Sequence, residues 1–294
     1  MKQEDILSHA PCYLDQDQQK FFFEQGYQVF PELIDEQHLI TLRTALTKVV
    51  DASRKLTHSS NRFDLEKGHT ADNPRLRRAT CVDDFDPIIW DVCSNSVIPD
   101  IAVDILGPNI RFRDIMANFK WSGGGAEVKW HQDIAFYPHT NAGTCQFLLF
   151  LEDVGPEQGP LQVIPGSHKG PIFEHYDMQR EWTGAIKDSD LASVHMDKMV
   201  TLTGKAGTVS VHHSRTIHGS TCNLSANSRP AFVITYSAAD AIPYTAAPYL
   251  SSHYGVLVRG CQPSHAHHEE LHMPLPPDWS DGYTSIFHHQ EQEA

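Results

Sequence analysis

From Arg111 onward the chain is a series of short segments rich in β-branched and aromatic residues, each bounded by turn-forming ones. Residues 111–121, 128–134, 144–151, 161–164, 208–213 and 229–237 are predicted as strands. Short strands joined by turns pair antiparallel, because parallel pairing needs long crossovers, and they bury one face only by closing into a sandwich or barrel. At 294 residues one large β-rich domain with a full core is expected over 1–294, its centre at about 100–240. Before it lie a short helical pattern at 18–25 and a strand at 27–30. Asp35 is placed to cap a helix from Glu36 to about Ala52. There Leu39, Leu42, Leu46, Val49 and Val50 recur at spacings of three and four, so the apolar stripe should pack on the outside of the barrel.

Within the second strand pattern stands His131-Gln132-Asp133. Residues two apart on an extended strand face the same way, so this imidazole and this carboxylate can meet at one point. His218, in Thr216-Ile217-His218-Gly219-Ser220, can close a triangle of two histidines and one carboxylate. Such a set suits a non-haem Fe(II) centre with open positions. His218 and Arg229 flank a turn-like stretch, 223–228, between two β-branched runs, which places them on neighbouring strands. An arginine there offers a planar bidentate anchor for a carboxylate.

The ordered set Trp130-His131-Gln132-Asp133, Phe150-Leu151-Glu152-Asp153-Val154, 159–169 (Gly-Pro-Leu-Gln-Val-Ile-Pro-Gly-Ser-His-Lys), His218-Gly219-Ser220 and Arg229 resembles the signature of the phytanoyl-CoA dioxygenase family of Fe(II)/2-oxoglutarate oxygenases. The resemblance runs from Phe22-Phe23-Glu24-Gln25-Gly26-Tyr27 to about Tyr236. It implies a mainly β protein with flanking helices, a double-stranded β-helix (a jelly-roll, cupin-like barrel) with iron between its sheets. It also implies His131, Asp133 and His218 as Fe(II) ligands, Arg229 and Ser220 at the distal carboxylate of 2-oxoglutarate, and O2 as the second cosubstrate. Asn118 matches a cosubstrate-binding asparagine of the related ectoine hydroxylases, while Lys120, Thr144 and Gln146 are further candidates for the pocket wall. Gln132 and the 134–139 run depart from the ectoine pattern.

The implied reaction is hydroxylation of a small organic molecule, such as a secondary metabolite, acyl or amino-acid derivative, coupled to decarboxylation of 2-oxoglutarate to succinate. Desaturation, epimerisation or cyclisation by the same ferryl oxidant is the alternative. Related halogenases replace the carboxylate ligand with a small residue; Asp133 is retained here. A non-oxidative cupin-like metalloenzyme, or a barrel that only binds, would have no need of Arg229 and Ser220.

The remaining stretches carry less. Residues 53–80 read as a polar loop containing Arg75, Arg77 and Arg78, a lid whose arginines could meet an anionic substrate. Residues 170–200 read as a second lid. The tail, 260–294, holds His265, His267, His268, His272, His288 and His289, read as surface histidines. Phe136, Tyr137 and Trp130 are candidates for an apolar pocket wall. A formal charge of −14 argues against a nucleic-acid partner. Six cysteines without metal-ribbon spacing, no signal-peptide pattern and no long apolar run point to a reduced, cytoplasmic protein without a membrane span.

Overall fold

A computed structural model of the chain describes residues 3–123, 125–280 and 285–291; Gly124 of the glycine-rich turn and the side chain of His288 lie outside the described residues. The elements in order are α1 (Gln3–Ser8), α2 (Gln16–Gln25), β1 (Tyr27–Phe30), α3 (Glu36–Ser53), β2 (Phe63–Leu65), β3 (Leu76–Thr80), α4 (Pro87–Ser94) and α5 (Ile98–Leu106). There follow β4 (Ile110–Lys120), β5 (Val128–His131), β6 (Thr144–Phe150), β7 (Leu161–Val163), α6 (Asp188–Leu191), β8 (Val200–Leu202), β9 (Val209–His213), β10 (His218–Ser220), β11 (Arg229–Ala238), β12 (Leu257–Arg259) and α7 (Ile286–Glu291).

The strands form two antiparallel sheets. The larger, of eight strands, runs β1-β9-β6-β11-β4-β3-β2, with β12 also on β4; the smaller, of four, runs β5-β10-β7-β8. Together they make the double-stranded β-helix expected from the family resemblance, with helices to one side.

The registers sort the side chains. Ala231 pairs with Asn118 and Phe150, Val233 with Met116 and Leu148, and Thr235 with Gln146 and Asp114, so these residues share the face turned toward the smaller sheet. Their sequence neighbours Phe232, Ile234, Phe147, Leu149, Ile115 and Ala117 turn outward and meet the helices in the main core. Asp35 accepts from the His38 backbone N–H at 2.9 Å and starts α3 as expected. Leu39, Leu42, Leu46 and Val49 of α3 are buried in that outer core, each contributing about 1.5–3 kcal/mol by leaving water. The two faces of the larger sheet thus divide the labour, the outer one holding the fold and the inner one lining the site.

Three expectations change. Residues 76–80 form a strand rather than part of a loop. Ala79 faces the outer core opposite Ala117, whereas Arg78 pairs with Asn118 inside, and a strand buried on both faces with a cation within carries no apolar alternation. The strand begun at Val128 ends at His131, and Asp133 opens a 3-10 turn through Ala135. His218 and Arg229 lie on consecutive strands, but β10 belongs to the smaller sheet and β11 to the larger, so they face each other across the interior instead of pairing edge to edge. Among the described residues no cysteines are disulfide-bonded and no helix is long and apolar enough to cross a membrane.

Candidate metal centre and cosubstrate pocket

Antiparallel pairing of β5 with β10 sets His131 opposite His218. Gln132 stays extended (φ −127°, ψ 128°), carrying the chain one residue past the strand so that Asp133 returns to the side of His131. The Nε2 atoms of His131 and His218 lie 3.8 Å and 3.5 Å from Asp133 Oδ1. The histidine rings are 4.1 Å apart, and all three residues are buried. Gly219, next to His218, has no room for a side chain: a Cβ there would stand 2.9 Å from the Val128 carbonyl oxygen. Absence of that atom lets β10 lie flat against β5.

Each histidine is oriented by its own backbone. The Nδ1 of His131 lies 2.8 Å from the Lys129 carbonyl and that of His218 2.9 Å from the Thr216 carbonyl. A proton on each Nδ1 satisfies these acceptors and leaves each Nε2 lone pair aimed inward, as metal coordination requires. Burial lowers the pKa of both imidazoles, keeping them neutral. Burial also opposes the charge of Asp133, but the surrounding His218, His212 and His131 outweigh it and hold the carboxyl at about 2. Two neutral imidazoles and one carboxylate are the donor set that Fe(II) accepts.

Two further groups were not singled out by sequence. His212, on the inner face of β9, has its Nε2 2.9 Å from Asp133 Oδ2, leaving Oδ1 toward the two histidines. The alternation Val209, Ser210, Val211, His212 points to this facing, but the adjacent His213 obscures it. Gln132 is buried behind the centre: its amide donates to the Pro171 and Arg215 carbonyls at 3.1 Å and 2.7 Å, and its oxygen accepts from Phe173 N–H at 2.9 Å. Its backbone N–H donates to His175 Nε2 at 2.9 Å. Residues 170–200 thereby pack behind the smaller sheet, and none of them lines the cavity in front of the histidines. The other candidate cluster among the described residues, Asp83, Asp84 and His253, sits elsewhere, tied by hydrogen bonds to one another, Ser252 and Arg62.

In front of the three residues is a cavity of about 130 Å³. One end is cationic. Arg229 pairs in register with Lys120, and both line the cavity with Ser220 and Asn118. Arg229 is buried, no carboxylate among the described residues pairs with it, and its Nε has no hydrogen-bond partner. Burial lowers its pKa to about 10. Lys120 donates to the Ser220 carbonyl at 3.3 Å and to that of Thr221; burial first, then Arg229, lower it to about 7. A buried cation without a counter-ion is costly, so this end is built to receive an anion. The Asn118 side-chain oxygen is likewise buried without a partner.

Phe136, Tyr137, Gln146 and Tyr249 also line the cavity, as does Arg78, which stands across from Asn118 in the strand register. Trp130 and Thr144 do not line it. Arg75 is committed to Glu66 at 2.8 Å, and Arg77 lies with its guanidinium carbon 4.9 Å from the centre of the Phe287 ring. The tail also supplies a wall: Ile286 and Phe287 of α7 line the cavity, and Trp279 donates to the Phe136 carbonyl at 3.2 Å. Gln290 fastens α7 by accepting from Lys129 N–H at 3.0 Å and donating to the Gly184 carbonyl at 3.1 Å. His265, His268 and His272 of the same tail are exposed and belong to no metal-ligand cluster among the described residues.

The class that this fold and donor set define is that of the Fe(II)/2-oxoglutarate-dependent dioxygenases. Residues 22–231 match the family model for phytanoyl-CoA dioxygenase (PhyH), and the chain belongs to that family. Among its relatives, a probable alpha-ketoglutarate-dependent hypophosphite dioxygenase of Stutzerimonas stutzeri is 29% identical over 262 residues, covering 88% of this chain and 91% of that one. L-proline trans-4-hydroxylase of Streptomyces griseoviridis is 30% identical over 192 residues, or 59% and 70% of the two chains. Among solved structures, EctD from S. alaskensis with 2-oxoglutarate and 5-hydroxyectoine superposes with a TM-score of 0.66 at 19% identity, covering 89% of this chain and 88% of that one.

Proposed function

We propose that His131, Asp133 and His218 hold Fe(II), that Arg229, Lys120, Ser220 and Asn118 hold 2-oxoglutarate, and that the protein uses O2 to hydroxylate a small molecule. The observation that carries this reading is the convergence of two inward Nε2 atoms and one Asp133 oxygen within 4.8 Å of one another, in a cavity also lined by a buried arginine that no carboxylate among the described residues pairs with. When bound, the iron supplies coordination sites for the 2-oxo acid and the oxidising power that converts R–H, O2 and 2-oxoglutarate into R–OH, succinate and CO2.

The residues of the chain do the rest. Arg229 neutralises the far carboxylate of the cosubstrate with parallel N–H donors, and the Ser220 hydroxyl is placed to donate beside it. Asn118 is an amide able to hydrogen-bond the oxo-acid end. His212 keeps Asp133 from turning both oxygens inward, which preserves open positions. Phe136, Ile286 and Phe287 exclude water from the reacting centre. The named activities of two relatives, on hypophosphite and on proline, support a small polar substrate.

Anaerobic addition of Fe(II) and 2-oxoglutarate tests the reading. A weak visible charge-transfer band is expected, with succinate formed once O2 and substrate are supplied. A protein that binds Fe(II) tightly yet gives neither band nor succinate would refute it.

A further inference from the structure

The cavity holds a pair of polar side chains that the proposed function leaves without a task. Tyr137 lies four residues past Asp133, just beyond the turn that Asp133 opens, and Gln146 stands on the inner face of β6; both line the cavity in front of the three candidate ligands. The Gln146 amide donates to the Tyr137 hydroxyl. The next inner-face positions, Leu148, Val233 and Met116, are apolar, as is Phe136 beside Tyr137 in the chain.

The contact does not exhaust either group. Thr235 stands in register with Gln146, but its hydroxyl donates to Asp114 Oδ1 at 3.0 Å instead. The Tyr137 proton and the Gln146 side-chain oxygen have no partner among the described residues. Turning the amide over changes which atoms are free, not the outcome: the phenol then donates to the amide oxygen, and the phenol lone pair and the amide N–H are left over. In either arrangement the cavity meets a donor and an acceptor side by side.

Unmet hydrogen-bonding groups among apolar neighbours are costly, so such a pair selects a guest that answers both. A carboxylate only accepts and an ammonium only donates, whereas a carboxamide or a hydroxyl does both. Space is restrictive too: about 130 Å³ is well below the roughly 300–1,000 Å³ of sites for drug-sized ligands.

Resting on the proposed function, we infer that Tyr137 and Gln146 are its specificity-determining pair and that the substrate is a compact neutral molecule recognised through a carboxamide or a hydroxyl. That group bonds to both side chains at once and holds the rest of the molecule beside His131 and Asp133.

The test is titration of the anaerobic Fe(II)- and 2-oxoglutarate-loaded protein with acetamide, 2-propanol, acetone and acetate, followed by calorimetry. The four probes are nearly the same size and differ in what they donate and accept. Acetamide or 2-propanol should bind roughly 10-fold or more tighter than acetone and acetate, and the tighter of the two separates a carboxamide from a hydroxyl substrate. Tyr137→Phe and Gln146→Met, which remove hydrogen bonds with little change of shape, should each weaken that probe roughly 10- to 100-fold, toward acetone, with the charge-transfer band intact. Tightest binding of acetate, equal binding of all four, no binding of any, or unchanged affinity in both variants would overturn the inference, as would variants that weaken 2-oxoglutarate instead. If no charge-transfer band forms, the parent reading fails separately, and the same titration of metal-free protein decides the role of the pair.

Discussion

His212 Nε2 stands 2.9 Å from Asp133 Oδ2, the carboxylate oxygen other than the Oδ1 near the Nε2 atoms of His131 and His218, and its ring lies 4.3 Å from that of His218. This contact crosses from the larger sheet to the smaller one and fixes which oxygen faces the candidate metal. Groups that orient a ligand in this way are commonly worth 10- to 100-fold in metal affinity. His212→Ala should therefore weaken Fe(II) binding by roughly that factor, read by anaerobic competition with a chelator, and shift the charge-transfer band. His212→Gln, which keeps an N–H donor, should recover most of the loss. Identical affinity in wild type and His212→Ala would make the contact incidental.

Removing a ligand is a harsher change. Asp133→Ala should abolish both Fe(II) retention and succinate formation while circular dichroism stays unchanged, since the main core lies on the other face of the larger sheet. Full turnover in a metal-verified Asp133→Ala protein is the outcome that would sink the assignment.

Arg229→Ala should raise the 2-oxoglutarate requirement by about 1.5–3 kcal/mol, or roughly 10- to 150-fold, with Fe(II) affinity little altered. Titration of the iron-loaded variant separates the two. Unchanged cosubstrate affinity would move the anchor to Lys120.

Lys120 gives a pH signature. Its folded pKa of about 7 lies below the ordinary 10.5, so between those values the unfolded chain binds more protons than the folded one. Stability without cosubstrate should rise with pH from about 7 toward 10.5, and Lys120→Met should remove that slope in denaturant titrations. A dianion placed beside Lys120 raises its pKa again, so 2-oxoglutarate binding somewhat above pH 7 should take up a proton, seen as a buffer-dependent enthalpy.

The C-terminal wall predicts a coupling defect. Phe287→Ala, or truncation after Asp278, should let water reach the centre, so that 2-oxoglutarate is consumed without matching product. Comparing succinate with hydroxylated product over time measures this, and equal stoichiometry would show that Ile286 and Phe287 are dispensable.

The triad, Arg229 and the barrel were legible because each rests on a short-range pattern: same-side spacing at His131 and Asp133, strand-like runs, a turn before Arg229. What escaped depends on pairing between distant segments. Nothing in Leu76-Arg77-Arg78-Ala79-Thr80 announces a strand, because its partner Met116-Ala117-Asn118 gives it an outer apolar face and an inner polar one. His212 acquires meaning only when β9 crosses over Asp133. The tail read as surface histidines, yet between and beyond them Trp279, Ile286 and Phe287 are buried against Phe136 and Trp182, since isolated apolar residues among prolines carry no period.

The placement of His218 and Arg229 in opposite sheets gives the intervening 221–228 turn an unexpected task. Asn223 braces it, donating to the Lys120 and Asn227 carbonyls at 2.9 Å and 2.8 Å. With one anchor at each end, that turn acts as a calliper, its length setting the jaw width between the layers. Lengthening it by a residue should alter which chain length of dicarboxylic oxo-acid fits, before it alters the metal or the substrate.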